Sequence, residues 1–340
     1  MNNLDKVLLD LGDFAYVRSY GNLGDLLIAE GTEQYFARKG YVYSYLSPFE
    51  DPDKNINLVH GGGARFTKDW CDMDKCIRLL CNKHVKKCVI LPSSFHDVDE
   101  LLQKFDDRHT LFCRDTASYE YCRGLCPTSQ VYLANDMAMQ LNLGELKPYS
   151  LNGVVESDEE ARLQHALTYY LTRGMNRGMC KASVKSFING KKQKVAFLLR
   201  TDKEKKIGLN SPLTYDISLS WHTPPKNKYN ANLLLAFSNV LKQVDVVISD
   251  RLHVCIMAYH SGCEVYMLDN TYGKLKGVYE LTLKESERVH LIASDTLPAD
   301  IQEAWRKLNC PLRVCLYNIY GKFKNAYKKA KKIIKAILKK

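Results

Sequence analysis

Short β-rich runs that end in a turn and give way to a helical stretch recur along most of this chain, and this alternation constrains the fold more than any other feature. It specifies an α/β architecture with mostly parallel sheets, because parallel strands need a crossover, usually helical, between them. In the first half Ile56–His60 runs into Gly61-Gly62-Gly63, Cys88–Leu91 into Pro92-Ser93-Ser94, and Thr110–Cys113 into Arg114-Asp115. Val131–Leu133 is a further strand, and Gly21–Gly40 reads as a loop followed by a helix. In the second half Val195–Leu199, Val244–Ser249 and Val265–Leu268 read as strands. Helices are expected over Leu233–Lys242 and over Leu252–His260, the latter closed by Gly262.

The chain has 340 residues, more than one ordinary core and about two domains of ~150 residues each. Around 143–160 the pattern dissolves into Gly, Pro, Ser, Asn and acids, which marks a linker, and a helical, basic stretch follows to about 190. The expected organisation is a Rossmann-like domain over 1–150, a second over 151–312, and a tail over 313–340. Ligands of such sheets bind beyond the carboxyl ends of the strands, so the residues that follow each strand are the candidates for chemistry.

Apolar residues at 46% and charged residues at 26% exclude disorder, collagen and coiled coil. No apolar run approaches the ~20 residues that cross a bilayer, and Met1–Leu11 lacks the apolar core of a signal peptide. The expectation is a soluble, cytoplasmic protein. Its twelve cysteines then read as reduced, buried small hydrophobes, and their spacing offers no pair of CxxC hooks for a structural metal. The net charge of +11 is concentrated in one place: residues 321–340 hold nine lysines and no acid, and removing those nine leaves +2 for residues 1–320. Within this tail Phe323, Ala326, Tyr327, Ala330, Ile333, Ile334, Ile337 and Leu338 fall on one helical face. An apolar face beside a lysine-rich one suits a helix lying on an anionic membrane surface. Nucleic acid would use the lysines but leave the isoleucines without a partner. Packing on the body would not require so many lysines.

Five segments carry candidate chemistry. Gly21-Asn22-Leu23-Gly24-Asp25 allows a tight turn into a helix that Asp25 can cap, and it is equally consistent with an anion at that helix N-terminus. Gly61-Gly62-Gly63 after a strand lets backbone approach a ligand or another loop closely, and is neither a Walker A nor a GxGxxG motif. Arg114 after a strand can fork onto a carboxylate or phosphate, or simply pair with an acid. Ser249-Asp250-Arg251-Leu252-His253 is the most informative, because a fixed cation and a titratable ring share the junction between a buried strand and a helix N-terminus. Leu268-Asp269-Asn270-Thr271-Tyr272-Gly273-Lys274 follows another strand, where Lys274 adds a further cation or is a solvated loop lysine. Asp72-Met73-Asp74 has the form of a metal-binding DxD but reads better as a solvated acidic cluster. Ser94, His96 and Asp97 have the residue types of a hydrolase triad without any sign of its geometry.

Taken in order, Gly21–Asp25, Gly61–Gly63, Arg114-Asp115, Asn135-Asp136, Arg200 with Asp202 and Glu204, Ser249–His253 and Leu268–Lys274 resemble the polysaccharide pyruvyl transferases over roughly residues 15–280. The resemblance implies a glycosyltransferase-B-like pair of Rossmann-type domains with the active site between them. It implies transfer of a pyruvyl group from phosphoenolpyruvate onto two hydroxyls of a sugar, giving a cyclic ketal. At the family level the ketal is a 4,6-ketal on a hexose such as galactose. Carried over by position, Arg114, Arg251, Leu252 and Lys274 would bind phosphoenolpyruvate and His253 would act as acid/base, since imidazole ordinarily titrates near ~6.5. Asn22, Gly24, Asp25, Gly62, Gly63 and Tyr272 would belong to the site loops. Pro92-Ser93-Ser94 departs from the Pro-Gln-Ser of many members. This chemistry calls for no metal, nicotinamide or flavin, and a lipid-linked acceptor would suit a tail that sits on a membrane. A nucleotide-sugar glycosyltransferase on the same fold is the alternative, since function resides in the site rather than in the architecture.

Overall fold

The computed structural model describes residues 2–147, 158–182, 193–202, 209, 211–220, 230–269, 273–292 and 297–318. Tyr272 and the basic helix expected over 321–340 lie outside the described residues, as does most of the expected linker.

Two sheets organise the chain. The first contains β1 (Phe14–Val17), β2 (Tyr43–Tyr45), β3 (Ile56–His60), β4 (Gly63–Thr67), β5 (Val85–His96), β6 (His109–Cys113) and β7 (Gln130–Leu133). Its order is β2-β1-β3-β5-β6-β7 with β4 beside β5. Every pairing is parallel. The second sheet contains β8 (Met179–Ala182), β9 (Gln193–Phe197), β10 (Val246–Ser249), β11 (Glu264–Leu268) and β12 (Val289–Ile292), in the order β12-β11-β10-β9-β8. It is parallel except for the antiparallel edge strand β8. The helices are α1 (Asn3–Leu11), α2 (Leu23–Lys39), α3 (Met73–Leu80), α4 (Asp99–Leu102), α5 (Thr116–Leu125), α6 (Asp158–Met175), α7 (Asn230–Leu241), α8 (Leu252–His260), α9 (Lys274–Val278) and α10 (Ala299–Leu308). None of the described helices is long and apolar enough to cross a membrane.

The mixed α/β class matches the alternation in the sequence, and α8 has the expected bounds. One strand differs in an instructive way. Pro92-Ser93-Ser94 does not end β5 but lies inside it. The pairing with β6 shifts register between Ile90 and Ser93, so Pro92 sits where the ladder is already irregular and its missing N–H is tolerated. This extension carries Ser94 into the interior, where it is 5% exposed. The helical stretch expected to reach about 190 ends at Met175, and β8 follows after the Arg177-Gly178 turn.

Each sheet has an apolar cluster of its own on one face, and a third cluster joins the two halves. Leu23, Leu26, Leu27 and Ile28 of α2 share one apolar cluster with Leu234 and Phe237 of α7 and with Leu252, Cys255 and Ile256 of α8. A helix that is apolar nearly all round belongs inside a protein, and α8 is such a helix, while α2 is apolar chiefly in its first two turns, where Leu23, Leu26, Leu27, Ile28 and Ala29 are buried. Their N-termini are thereby held at the junction of the two halves, beyond the carboxyl ends of β1 and β10. Eight of the twelve cysteines are buried as expected, whereas Cys310 and Cys315 are exposed, because both follow α10 at the surface.

Candidate active site

Arg114 follows β6 and is 1% exposed, which for a guanidinium requires partners. It donates from Nε to Ser94 Oγ at 2.9 Å and from Nη1 to Asp136 Oδ2 at 2.7 Å. Ser94 in turn donates to Asp115 Oδ2 at 2.8 Å, while Asp115 Oδ1 caps α5 by accepting from the Ser118 N–H. Asp136 lies beyond β7 with no exposed surface, and its Oδ1 accepts from the Ala138 N–H at 2.8 Å. Burial by itself would raise the Asp136 carboxyl, but the Arg114 charge and the His253 hydrogen bond outweigh it and hold the group well below the usual carboxylate range.

His253 comes from the other half of the molecule. It stands in the first turn of α8, with Nε2 3.4 Å from Asp136 Oδ2 and 3.4 Å from Arg114 Nη1. Its ring lies directly on the backbone of Gly24. A Cβ at position 24 would be 2.6 Å from His253 Nδ1 and 2.9 Å from His253 Cβ, so only glycine admits the ring here. Asp115, Ser94, Arg114, Asp136 and His253 thus form one polar chain from the first sheet to α8.

The loop before α2 behaves chiefly as a cap. Asn22 accepts from the Gly24 N–H at 2.7 Å and Asp25 accepts from the Asn22 N–H at 3.0 Å, a reciprocal capping box. The Ser218 hydroxyl, from the second half, donates to Asn22 Oδ1 at 2.8 Å. The Gly24 N–H, next to the His253 ring, is therefore already used. By contrast α8 has no side-chain cap, so its first-turn N–H groups beside His253 retain the anion preference of a helix N-terminus. The Gly61–Gly63 segment approaches backbone: a Cβ on Gly62 would lie 2.4 Å from the Pro92 carbonyl oxygen, and Gly63 opens β4.

Arg251 does not join Arg114. Its Nε and Nη2 fork onto Asp216 at 2.7 and 2.6 Å, and Nη2 also reaches Asp202 at 2.7 Å. Arg200 pairs with the other Asp202 oxygen at 2.9 Å. In this structure the planar fork expected to receive an anion is engaged by two carboxylates, and Arg251 anchors the start of α8. Leu252 is 5% exposed and packs into the core. Lys274 is the first residue of α9, and α9 leans on the Arg114-Asp115 corner: a Cβ on Gly277 would meet Asp115 Cβ at 2.5 Å. Asp72 caps α3 through the Lys75 N–H at 3.3 Å, and exposed His96 pairs with Asp97 while Ser94 faces Arg114. Among the described residues no group of three or more His, Cys, Asp or Glu is arranged to hold a metal.

Sequence reasoning brings Arg114 and His253 forward but gives no role to Asp136, Ser94 or Asp216. Asp136 had a signal, since it follows a strand within the Asn135-Asp136 pair. Asp216 had none, because its partner is 35 residues away and no strand precedes it.

Residues 22–272 match the polysaccharide pyruvyl transferase family. A relative from Bacillus subtilis (strain 168), named "Putative pyruvyl transferase EpsO", is 26% identical over 314 residues, covering 86% of this chain and 88% of that protein. A crystal structure of a functionally uncharacterised protein from Klebsiella pneumoniae subsp. pneumoniae NTUH-K2044 superposes with a TM-score of 0.64 at 24% identity, covering 86% of this chain and all of that one, which speaks to fold alone. With the match extending from the α2 cap to just beyond β11, the chain belongs to the polysaccharide pyruvyl transferase family.

Proposed function

We propose that this protein transfers the pyruvyl group of phosphoenolpyruvate onto two hydroxyls of a hexose, giving a 4,6-ketal, with a lipid-linked oligosaccharide of surface-polysaccharide synthesis as acceptor. In this reading the two halves form a glycosyltransferase-B-like pair with the site between them. The observation that carries it is the meeting of Arg114 and His253, from opposite halves, on the buried Asp136 carboxylate.

Phosphoenolpyruvate carries a carboxylate and a phosphate. The guanidinium of Arg114, the uncapped N-terminus of α8 and Lys274 are groups that suit those charges. Ketal formation begins with a proton delivered to the methylene carbon, which leaves C2 electrophilic. One sugar hydroxyl attacks C2 and loses its proton, and phosphate departs with the C2–O bond pair. The second hydroxyl then attacks C2 and closes the ring, releasing its own proton. One proton enters and two leave, and phosphate can carry one away. His253 is the group assigned to proton transfer. Asp136 and Gly24 fix its ring, and Arg114 keeps Asp136 ionised. Arg251 acts by anchoring α8 to Asp216 and Asp202.

The tail over 321–340 would bring the enzyme to an anionic membrane surface at the cytoplasmic side, where such an acceptor is found, each lysine contributing up to ~1 kcal/mol. The test is incubation of the full chain with phosphoenolpyruvate and a panel of lipid-linked oligosaccharides, read by mass spectrometry and phosphate release. Pyruvyl addition supports the reading. Sugar transfer from a nucleotide sugar, without phosphate release from phosphoenolpyruvate, would overturn it in favour of a glycosyltransferase.

A further inference from the structure

A second cluster of cations and rings borders the first sheet's carboxyl end, outside the Arg114–His253 centre. Tyr20 follows β1 in the same loop that leads to Asn22 and Gly24. Arg65, on β4, lays its guanidinium 4.4 Å from the Tyr20 ring centroid and donates from Nη2 to the Tyr20 carbonyl at 3.4 Å. Lys75, on α3, holds Nζ 3.8 Å from the Phe49 ring centroid and donates to the Tyr20 hydroxyl at 3.3 Å. The Tyr20 and Phe49 rings are 5.9 Å apart, and Phe49 is 63% exposed.

Three features of this cluster point outward. Among the described residues neither Arg65 nor Lys75 forms an ion pair with a carboxylate. The neighbouring Asp72 is turned to cap α3. The exposed Phe49 ring has Lys75 beside it and the adjoining Tyr20 ring has Arg65, so the pair of rings offers an apolar platform next to two positive charges. Third, the cluster is continuous with the active site. Tyr20 lies four positions before Gly24, which supports His253, so their Cα atoms are at most about 14 Å apart. One saccharide chain can therefore reach both.

We propose that Tyr20, Phe49, Arg65 and Lys75 form an acceptor subsite for an anionic saccharide. A sugar ring lies on Phe49, and a phosphate or carboxylate borne by the same chain is held by Arg65 and Lys75. Arginine and lysine suit either anion through charge-assisted hydrogen bonds, and neutral sugars would gain only the ring contact. Calling the ligand an acceptor rests on the pyruvyl-transfer reading; the binding itself does not.

The test measures binding calorimetrically with the full chain and without phosphoenolpyruvate, so it is independent of turnover. Three probes share one galactose-terminated oligosaccharide: neutral, bearing a glucuronate, or linked to farnesyl diphosphate. Arg65→Gln and Lys75→Gln should each weaken one or both anionic probes about tenfold while leaving the neutral one within twofold, and Arg65→Lys should recover part of the loss. Phe49→Ala should weaken all three. Loss on the diphosphate probe alone identifies a lipid diphosphate as the anion, and loss on the glucuronate probe alone identifies a sugar acid. Thermal melts within 2 °C of the parent chain exclude unfolding as the cause. Binding of no probe by the parent chain, or Arg65→Gln and Lys75→Gln affecting charged and neutral probes alike, overturns the subsite. Failure of the pyruvyl-transfer reading would appear separately, as phosphoenolpyruvate left unconsumed by a parent chain that still binds these sugars.

Discussion

At residue scale, the candidate active site depends on a missing side chain and a buried charge. Gly24→Ala would drive a methyl group into His253, with Asn22 Oδ1 also only 2.9 Å away, and neither neighbour can give without leaving its own partner. We expect a loss of about 1–3 kcal/mol in stability and a larger loss in turnover, read from urea midpoints and kcat. Asp136→Asn should be worse, since it leaves Arg114 buried without its charge partner and costs about 3–5 kcal/mol. Because the folded Asp136 carboxyl is held below its unfolded value, its contribution is present above pH ~4 and is lost as pH falls below that. Arg114 and His253 were legible in the sequence as strand-end and helix-start residues. Their joint partner was not, because a run of residues does not reveal which buried carboxylate two distant cationic or titratable groups will share. Ser94 was obscured for a related reason: the proline before it suggests a turn, whereas the register shift keeps the strand going.

At the scale of elements, α8 was the most legible part of the chain. An apolar strand, a polar break and a helix of nine residues ending before glycine leave few alternatives. The orientation of Arg251 was not legible, because its acceptors Asp202 and Asp216 lie 49 and 35 residues away in the chain. Arg251→Lys keeps the charge but cannot reproduce a fork that uses Nε and Nη2 together. We expect it to destabilise the protein by about 1–3 kcal/mol and to raise the KM for phosphoenolpyruvate by displacing α8. Unchanged thermal stability in this variant would contradict the anchoring role. The α2 N-terminus illustrates a different limit. Its glycine loop was equally consistent with an anion site and with a cap, and the capping box is what the side chains form.

For the whole molecule, the alternation of strands and helices predicted the two parallel-rich sheets, but not that α2, α7 and α8 join one side of each sheet in a shared apolar cluster. Periodicity marks an apolar face without naming what covers it. Buried imidazoles in both halves make acid sensitivity a property of the whole fold. His60, His109 and His260 are all pushed down by burial, His60 to about 4. The unfolded chain therefore takes up these protons first, and stability should fall progressively as pH drops from ~6.5. Urea midpoints between pH 7.5 and 4.5 check this, and a flat profile would contradict it. A chain ending at Tyr320 should stay folded and modify a soluble acceptor normally while no longer sedimenting with anionic liposomes. Undiminished sedimentation would remove the tail from the membrane-binding role.

The most direct measurement compares the parent chain with His253→Ala and Arg114→Lys for phosphoenolpyruvate-dependent pyruvyl addition to a galactose-containing lipid-linked oligosaccharide. The expected result is pyruvylated product and released phosphate with the parent chain, turnover lowered by ~100-fold or more in His253→Ala, and weakened phosphoenolpyruvate binding in Arg114→Lys. Full activity in His253→Ala, or no pyruvyl addition by the parent chain to any acceptor in the panel, would contradict the assignment of this site to pyruvyl transfer.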